Sequence, residues 1–129
     1  LMLSALPHNY SDLLFDVSPG LRPRHVRHAA AYIHGQFREV IRLDDLVRVG
    51  GVSKRSLHAG FRKYYGVSPM VYLRNVRLDM ARLRLKQMGR GDVSVTEVAL
   101  ACGLTHLSKF AAAYKDRFGE LPSETLQNA

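Results

Sequence analysis

The sequence has no tryptophan, one cysteine, and no run of apolar residues near the length of a membrane span. A single cysteine cannot form a disulfide within the chain, which fits a reducing cytoplasm. A membrane-spanning helix needs about 20 consecutive apolar residues, so no membrane partner is expected. The first residues, "LMLSALPHNY", lack the basic segment of a signal peptide. We therefore expect a cytoplasmic protein and, because the chain begins with Leu, a piece of a longer one.

Acidic residues are scarce between residues 51 and 90. This segment holds ten Lys and Arg side chains and one carboxylate, Asp79, whereas the whole chain has 19 basic and 11 acidic residues. The formal net charge of +8 is thus concentrated in the middle of the chain. A basic block on ordered elements favours a polyanionic partner. A solvated basic face on an ordinary helical protein is the alternative.

Residue patterns that carry enzyme chemistry or bind metals are also missing. The sequence shows no glycine-rich phosphate loop and no paired carboxylates. His25 and His28 lie three residues apart, but no further His, Cys or carboxylate is spaced to complete a zinc site. Cys102 lies in the apolar stretch "VALACG" and is interpreted as a small core residue. We therefore expect no enzyme, no metal and no cofactor.

Apolar residues recur at helical intervals and never alternate over the length of a strand, so the sequence predicts an all-α fold of about seven helices. A first helix should start near Pro23, a long one should cover residues 68–87, and Pro122 should begin the last one. The long helix has two apolar sides and must pack against two neighbours. The side chains expected on apolar faces are Val26, Ala29, Ala30, Ile33, Leu43, Leu46, Val49, Tyr72, Leu73, Val76, Leu78, Met80, Leu83 and Leu85.

Hydroxyl residues mark the beginnings of a repeated unit. Ser53 and Thr105 are each predicted to cap a helix by accepting a backbone N–H of its first turn. Ser94 and Glu97 have the spacing of a capping box. The two predicted caps lie 52 residues apart, whereas the aromatic residues expected to be buried in the helices that follow, Phe61 and Tyr114, lie 53 apart. The longer helix of the second copy is therefore expected to hold one extra residue between its cap and its aromatic residue. Each copy is a short helix, a turn and a longer helix, which is the helix-turn-helix arrangement.

The two copies also resemble a known family. The stretch "VSVTEVALACGLTHLSKFAAAYKDRFGELPSET" is similar to the C-terminal signature of the AraC/XylS family of bacterial transcription regulators. The stretch "LDDLVRVGGVSKRSLHAGFRKYYGVSPMVYLRNVRLDMARLRL" is similar to the N-terminal lobe and connecting helix of the same domain. The resemblance covers residues 22–127. It departs from the family pattern at Arg42, Leu104 and Thr125, where we expect looser local packing.

The resemblance implies a domain organisation. Residues 22–129 would form an AraC-type DNA-binding domain with two helix-turn-helix lobes joined by a long connecting helix. Residues 1–21 would be a linker or the tail of a preceding sensor domain. The expected lobes cover about 43–66 and about 94–118, and the connecting helix covers about 68–87. A helix of about 20 residues is about 30 Å long, close to the ~34 Å of one DNA turn, so the two lobes are expected to read successive major-groove segments.

The first predicted recognition helix carries side chains suited to base edges. Arg55 is long enough for a bidentate contact with guanine, and His58 donates or accepts a hydrogen bond. Ala59 fits only a thymine methyl group. The resemblance implies that these three positions read bases, with a phosphate contact as the alternative for Arg55. The expected base-reading residues are Arg55, Ser56, His58 and Ala59, and the expected phosphate-binding residues are Ser53, Lys54, Arg62 and Lys63.

The second predicted recognition helix presents a slimmer surface. Phe110 and Tyr114 are expected to anchor it in the core, and its alanines are good helix formers. A surface of small side chains allows the helix either to enter the major groove deeply or to discriminate only weakly between bases. The expected base-reading residues are Leu107, Ser108, Lys109, Ala111 and Ala112, and the expected phosphate-binding residues are Thr105, His106 and Lys115.

These observations predict sequence-specific binding to double-stranded DNA and regulation, by activation, of bacterial transcription. The resemblance also implies RNA polymerase as a partner. For the fragment we expect a monomer, with a homodimer as an open possibility for a longer parent protein. A complete small regulator without a sensor domain is one alternative, and a helical protein-interaction module with a basic face is another.

Overall fold

The computed structural model describes residues 22–88, 91 and 94–129, and these residues form seven α-helices and no strand. The expected linker over residues 1–21 and Arg90 of the basic block lie outside the described residues. The helices are α1 (Arg24–Gln36), α2 (Leu43–Gly50), α3 (Lys54–Tyr65), α4 (Pro69–Met88), α5 (Val95–Ala101), α6 (Leu107–Phe118) and α7 (Pro122–Gln127). The predicted all-α fold is thus confirmed. The long helix lies within one residue of its expected ends, and Pro122 begins α7 as predicted.

Two of the three predicted helix caps are present. The Ser53 hydroxyl accepts the backbone N–H of Ser56 at 3.1 Å, which fixes the start of α3. Ser94 and Glu97 form a reciprocal capping box at the start of α5, with the Ser94 N–H donating to the Glu97 carboxylate at 3.0 Å and the Glu97 N–H to the Ser94 hydroxyl at 3.1 Å. Local sequence therefore determines where these two helices begin.

The predicted cap at Thr105 is wrong. Helix α6 begins one residue later, with His106 in the N-cap position and no side-chain capping bond. The His106 carbonyl accepts the first helical hydrogen bond, from the Phe110 N–H at 2.8 Å. With this start, the N-cap lies eight residues before the buried aromatic residue in both copies, as Ser53 does before Phe61. The extra residue of the second copy therefore lies in the turn and not in the helix.

Arg42 is the N-cap of helix α2 and forms no side-chain capping bond, but its own backbone N–H is bound by Asp45. The backbone N–H of Arg42 donates to the Asp45 carboxylate at 2.9 Å, and the Arg48 guanidinium donates to the same carboxylate at 3.0 Å. The Arg42 N–H, followed by the Arg48 side chain, holds the pKa of Asp45 below its usual value. Asp45 thus fixes the backbone at the start of α2.

The described residues form two compact units, and the first contains those up to Gly35 together with Ile41–Tyr72. The Phe61 side chain is fully buried in its core, and its ring centroid lies 5.2 Å from that of Tyr65 and 5.3 Å from that of Tyr72. The apolar face predicted for α1 is confirmed. The fully or almost fully buried residues of the core include Val26, Ala29, Ala30, Ile33, Leu46, Leu57 and Phe61.

The second unit contains Gln36–Val40 and the described residues from Leu73 onward. Cys102 is buried in it, as predicted, whereas the prediction that Leu83 faces a core is wrong because its side chain is 47% exposed. Ala81 and Leu85 are one helical turn apart and both buried, so Leu83, two residues from each, lies on the other side of α4. The buried residues of this core include Leu73, Val76, Leu78, Ala81, Leu85, Val98, Ala99, Cys102, Phe110 and Tyr114.

Candidate nucleic-acid interface

Helix α3 presents a polar and basic surface to solvent. Its position in the first unit is set by Leu57 and Phe61, which lie four residues apart and are fully buried. Side chains on the far side of the helix must then face outward, because residues four apart share one face. The exposed residues at or after the N-cap of α3 are Ser53, Lys54, Arg55, Ser56, Ala59, Arg62 and Lys63.

The individual side chains of α3 differ in how available they are. Arg55 is exposed and forms no salt bridge or hydrogen bond with another described residue. His58 is half-buried because it follows Leu57 at the edge of the buried face. The Ser56 hydroxyl accepts from the Ser53 hydroxyl at 3.1 Å and retains its own proton for donation. The outward surface of α3 therefore offers two long side chains with free donors near the start of the helix, Lys54 and Arg55.

Helix α6 presents the second predicted surface. Phe110 and Tyr114 are buried in the second unit, as predicted. Thr105 and His106 are exposed and precede the helix, so they lie in the turn and at the N-cap. Leu107, its first residue, is 40% exposed although its side chain is large and apolar. The other outward positions are Ser108, Lys109, Ala112 and Lys115, which are exposed, and Ala111, which is half-buried.

A polar network fixes α6 against α7 and α4. The Tyr114 hydroxyl donates to the Thr125 hydroxyl at 2.7 Å, and the Thr125 hydroxyl donates to the Glu120 carboxylate. Arg82 pairs with Glu120 at 3.4 Å, and its guanidinium carbon lies 4.7 Å from the centroid of the Phe118 ring. Burial raises the pKa of Tyr114, so its hydroxyl keeps its proton and remains a donor. Nothing in the sequence pattern indicates this network, because its members come from three separate segments.

We expect Tyr114→Phe to lower the free energy of unfolding by about 1–2 kcal/mol, because it leaves the buried Thr125 hydroxyl without its donor. Chemical denaturation followed by far-UV circular dichroism measures the change. Tyr64→Phe is the matched control, since Tyr64 is half-buried and forms no hydrogen bond with a described residue; it should change stability by less than about 0.5 kcal/mol. Equal effects of the two substitutions would contradict the stabilising role of the network.

Three of the ten cations in the basic block are half-buried and not freely available to a ligand: Arg77, Arg82 and Arg84. Arg77 donates from Nε to the Phe37 carbonyl and from Nη2 to the Glu39 carbonyl, each at 2.8 Å. Burial lowers the pKa of Arg77 from its ordinary value. The exposed cations of the block are Lys54, Arg55, Arg62, Lys63, Arg74 and Lys86. Part of the basic block thus holds the second unit together.

Other kinds of site find little support in the described part of the chain. Within residues 22–88, 91 and 94–129, no three His, Cys, Asp or Glu side chains are grouped so that they could hold a metal ion. None of the described helices is both long and apolar enough to cross a bilayer. Burial raises the pKa of the Cys102 thiol, which disfavours the reactive thiolate.

Comparison with known proteins identifies the fold. Residues 46–128 match a family model described as a helix-turn-helix domain. The structure is similar to the crystal structure of a probable AraC family transcriptional regulator from Rhodopseudomonas palustris, with a TM-score of 0.76 and 38% identity, over 83% of this chain and 98% of that one. The chain belongs to the AraC/XylS family. In this AraC/XylS domain, helices α2–α3 and α5–α6 are the two helix-turn-helix motifs predicted from the repeat.

Two curated relatives of the AraC/XylS domain are themselves named as regulators of operons. The chain is 41% identical over 95 residues to "XylDLEGF operon transcriptional activator 2" of Pseudomonas putida, covering 74% of this chain and 60% of that protein. It is 36% identical over 126 residues to "Probable thc operon regulatory protein" of Rhodococcus erythropolis, covering 98% of this chain and 38% of that protein. The chain therefore spans less than two thirds of the length of either relative.

Proposed function

We propose that this AraC/XylS domain binds double-stranded DNA sequence-specifically and activates transcription, with α3 and α6 as its recognition helices. The observation that supports this most strongly is the outward surface of α3. Its start is fixed by the Ser53 cap and its orientation by buried Leu57 and Phe61, while Arg55 is exposed without an acidic partner among the described residues. A rigid helix with an unpaired arginine near its N-terminus suits the major groove.

The residues of α3 divide into two proposed roles. Arg55 reads a guanine, His58 a neighbouring base edge, and Ser56 and Ala59 complete the base-facing set. Base readout belongs to residues near the start of a recognition helix, whereas contacts to phosphate position the protein on the duplex. Ser53, Lys54, Arg62 and Lys63 are the proposed phosphate-binding residues of this helix.

Helix α6 is proposed to add affinity and shape preference more than direct readout. Ser108 and Lys109 lack the planar fork that makes arginine discriminating. The exposed apolar side chain of Leu107 and the methyl groups of Ala111 and Ala112 suit the methyl group of thymine. Thr105, His106 and Lys115 are the proposed phosphate-binding residues.

Arg55→Ala is expected to weaken binding to the preferred duplex by about 1–3 kcal/mol and to relax the choice of base at one position. Lys109→Ala is the matched control on α6, because lysine contributes charge without bidentate geometry. It should weaken preferred and scrambled duplexes evenly and reduce the slope of log affinity against log salt by about one. Titration of each variant with both duplexes measures these effects.

The opposite pattern would reverse the proposed roles of the helices. If Arg55→Ala lowered the two affinities equally while Lys109→Ala lowered only the specific one, α6 would be the main reader. If no variant altered discrimination, neither residue would contact a base.

The cellular role is proposed from the relatives. They are named as an operon activator and an operon regulatory protein, and both are longer than this chain. We infer that the domain acts in the cytoplasm as part of a regulator that recruits RNA polymerase. The domain itself is proposed to be monomeric, and a longer parent protein would supply the sensor and any dimer contact.

A further inference from the structure

Helix α3 approaches α1 at a position where no side chain fits. A Cβ atom at Gly60 would lie 2.6 Å from Val26 Cγ2 and 2.8 Å from His25 Nε2, both well inside van der Waals contact. The φ angle of Gly60 is not positive, so its backbone conformation does not require glycine. Glycine is also a poor helix former in the middle of a helix. The close approach of α1 is thus the structural reason for glycine at this position.

The same part of α1 also lies against α2. A Cβ atom at Gly50, the last residue of α2, would lie 3.4 Å from the His25 carbonyl oxygen and 3.6 Å from His25 Cβ. His25 therefore contacts both helices of the first helix-turn-helix motif, each time at a glycine. Val26 beside it is fully buried, and a β-branched side chain has little freedom at χ1. Val26 therefore cannot easily turn its methyl group away from Gly60.

The position of Gly60 links this packing to the proposed reading surface. Gly60 follows Ala59 directly and lies on the same 12-residue helix as Arg55 and His58. A helix moves as a rigid element, so a displacement at Gly60 changes where Arg55 and His58 meet the groove. Recognition geometry must be held within about 0.5 Å to be productive. A shift of α3 by the size of one methyl group is larger than that tolerance.

We propose that Gly60 and His25 are positioning residues for DNA recognition: their contact sets how far α3 projects from the first unit, and thereby its discrimination between duplexes. The inference rests on the proposed function of α3 as a recognition helix. It concerns different residues, because neither Gly60 nor His25 needs to touch DNA. It also differs in its readout, which is the ratio of specific to non-specific affinity.

The test uses Gly60→Ala and the matched control Gly35→Ala. Gly35 is an exposed residue of α1 with no atom within 4 Å of the position of an added Cβ, so it controls for the general effect of replacing a helical glycine. Each protein is titrated with the duplex preferred by the wild type and with a scrambled duplex. We expect Gly60→Ala to lower the ratio of the two affinities about tenfold, corresponding to one poorly placed base contact. Gly35→Ala should leave the ratio within about twofold, since it alters no contact.

A merely structural effect gives a different result. Partial unfolding removes active protein and lowers both apparent affinities by the same factor, so the ratio stays constant. A displaced but folded α3 loses specific affinity and retains its charge-driven affinity for scrambled DNA. Adding Val26→Ala to Gly60→Ala removes one of the two atoms that the new Cβ would meet and leaves the His25 ring in place. We expect it to restore the ratio in part, to within about threefold of the wild type.

His25→Ala is the second variant, because it removes the ring that α3 rests on without adding a clash. It should lower the affinity ratio severalfold and keep the inference testable if Gly60→Ala does not fold. An unchanged ratio in the folded variants would overturn the positioning role while leaving the proposed function intact. A wild-type protein that binds both duplexes equally would overturn the proposed function and this inference together.

Discussion

Raising the salt concentration from about 50 to about 200 mM is expected to weaken binding to duplex DNA by about two to three orders of magnitude. Each phosphate contact adds about −0.9 to the slope of log affinity against log salt. The ten cations of residues 51–90 alone predict a slope of about −4 to −7, if half or more of them contact phosphate. The exposed cations on α3 and α6 are Lys54, Arg55, Arg62, Lys63, Lys109 and Lys115. If Arg55 reads a base and four or five of the others contact phosphate, the slope should be about −4 to −5.

Two variants make this prediction specific to the exposed surface. Lys115→Ala removes an exposed charge and should reduce the steepness of the slope by about one. Arg82→Gln removes a charge that is already paired with Glu120 and stacked on Phe118, and it should leave the slope unchanged. A wild-type slope shallower than about −2 would mean that the basic surfaces of α3 and α6 do not face DNA.

Phe61→Ala is expected to lower the free energy of unfolding by about 3–5 kcal/mol, the largest effect of any substitution considered for stability. The side chain is fully buried, and its ring packs against those of Tyr65 and Tyr72. Truncation removes apolar contact area and leaves a cavity that neighbouring rings fill only in part. Chemical denaturation followed by far-UV circular dichroism measures the change.

Lys63→Ala on the same helix is the control for Phe61→Ala. Its side chain is exposed, so the stability change should stay within about 0.5 kcal/mol. A loss below about 1 kcal/mol for Phe61→Ala would show that α3 is not anchored by this ring. The orientation argued for Arg55 would then lose its structural basis.

Features that depend on a few neighbouring residues were predictable from the sequence. The Ser53 cap, the Ser94 and Glu97 capping box and the start of α7 at Pro122 depend on hydrogen bonds or backbone geometry within one helical turn. The apolar face of α1 follows from the 3.6-residue period. Together with the repeat, these local signals were sufficient to predict the all-α fold and two helix-turn-helix motifs.

Two errors arose where a local pattern allowed more than one reading. Thr105 has the chemistry of a cap, but helix α6 begins one residue later than such a cap would set, and His106 takes the N-cap position. Leu83 lies on an apolar stripe of the long helix, but the face of the helix that packs into the core at this point is the one that contains Ala81 and Leu85. In both cases the local sequence allows two placements, of the helix start or of the buried face, and packing in the folded protein decides between them.

Contacts between distant segments had no signal in the sequence. Arg77 belongs to a basic block by composition, yet its guanidinium is bound by the carbonyls of Phe37 and Glu39, about 40 residues away. Gly60 is an unfavourable residue for the middle of a helix, and only the positions of His25 and Val26 explain it. Which cations are available to DNA, and how α3 is held, therefore required the structure.

Selection of bound sites from a randomised duplex pool tests sequence-specific recognition by the two motifs most directly. Recovered sites should share two conserved segments whose centres lie about 10–10.5 base pairs apart, because the major groove returns to the same face of DNA at that interval. One segment should contain a guanine whose selection is lost with Arg55→Ala. A pool that shows no enrichment, or enrichment of a single segment that Arg55→Ala leaves unchanged, would contradict the account.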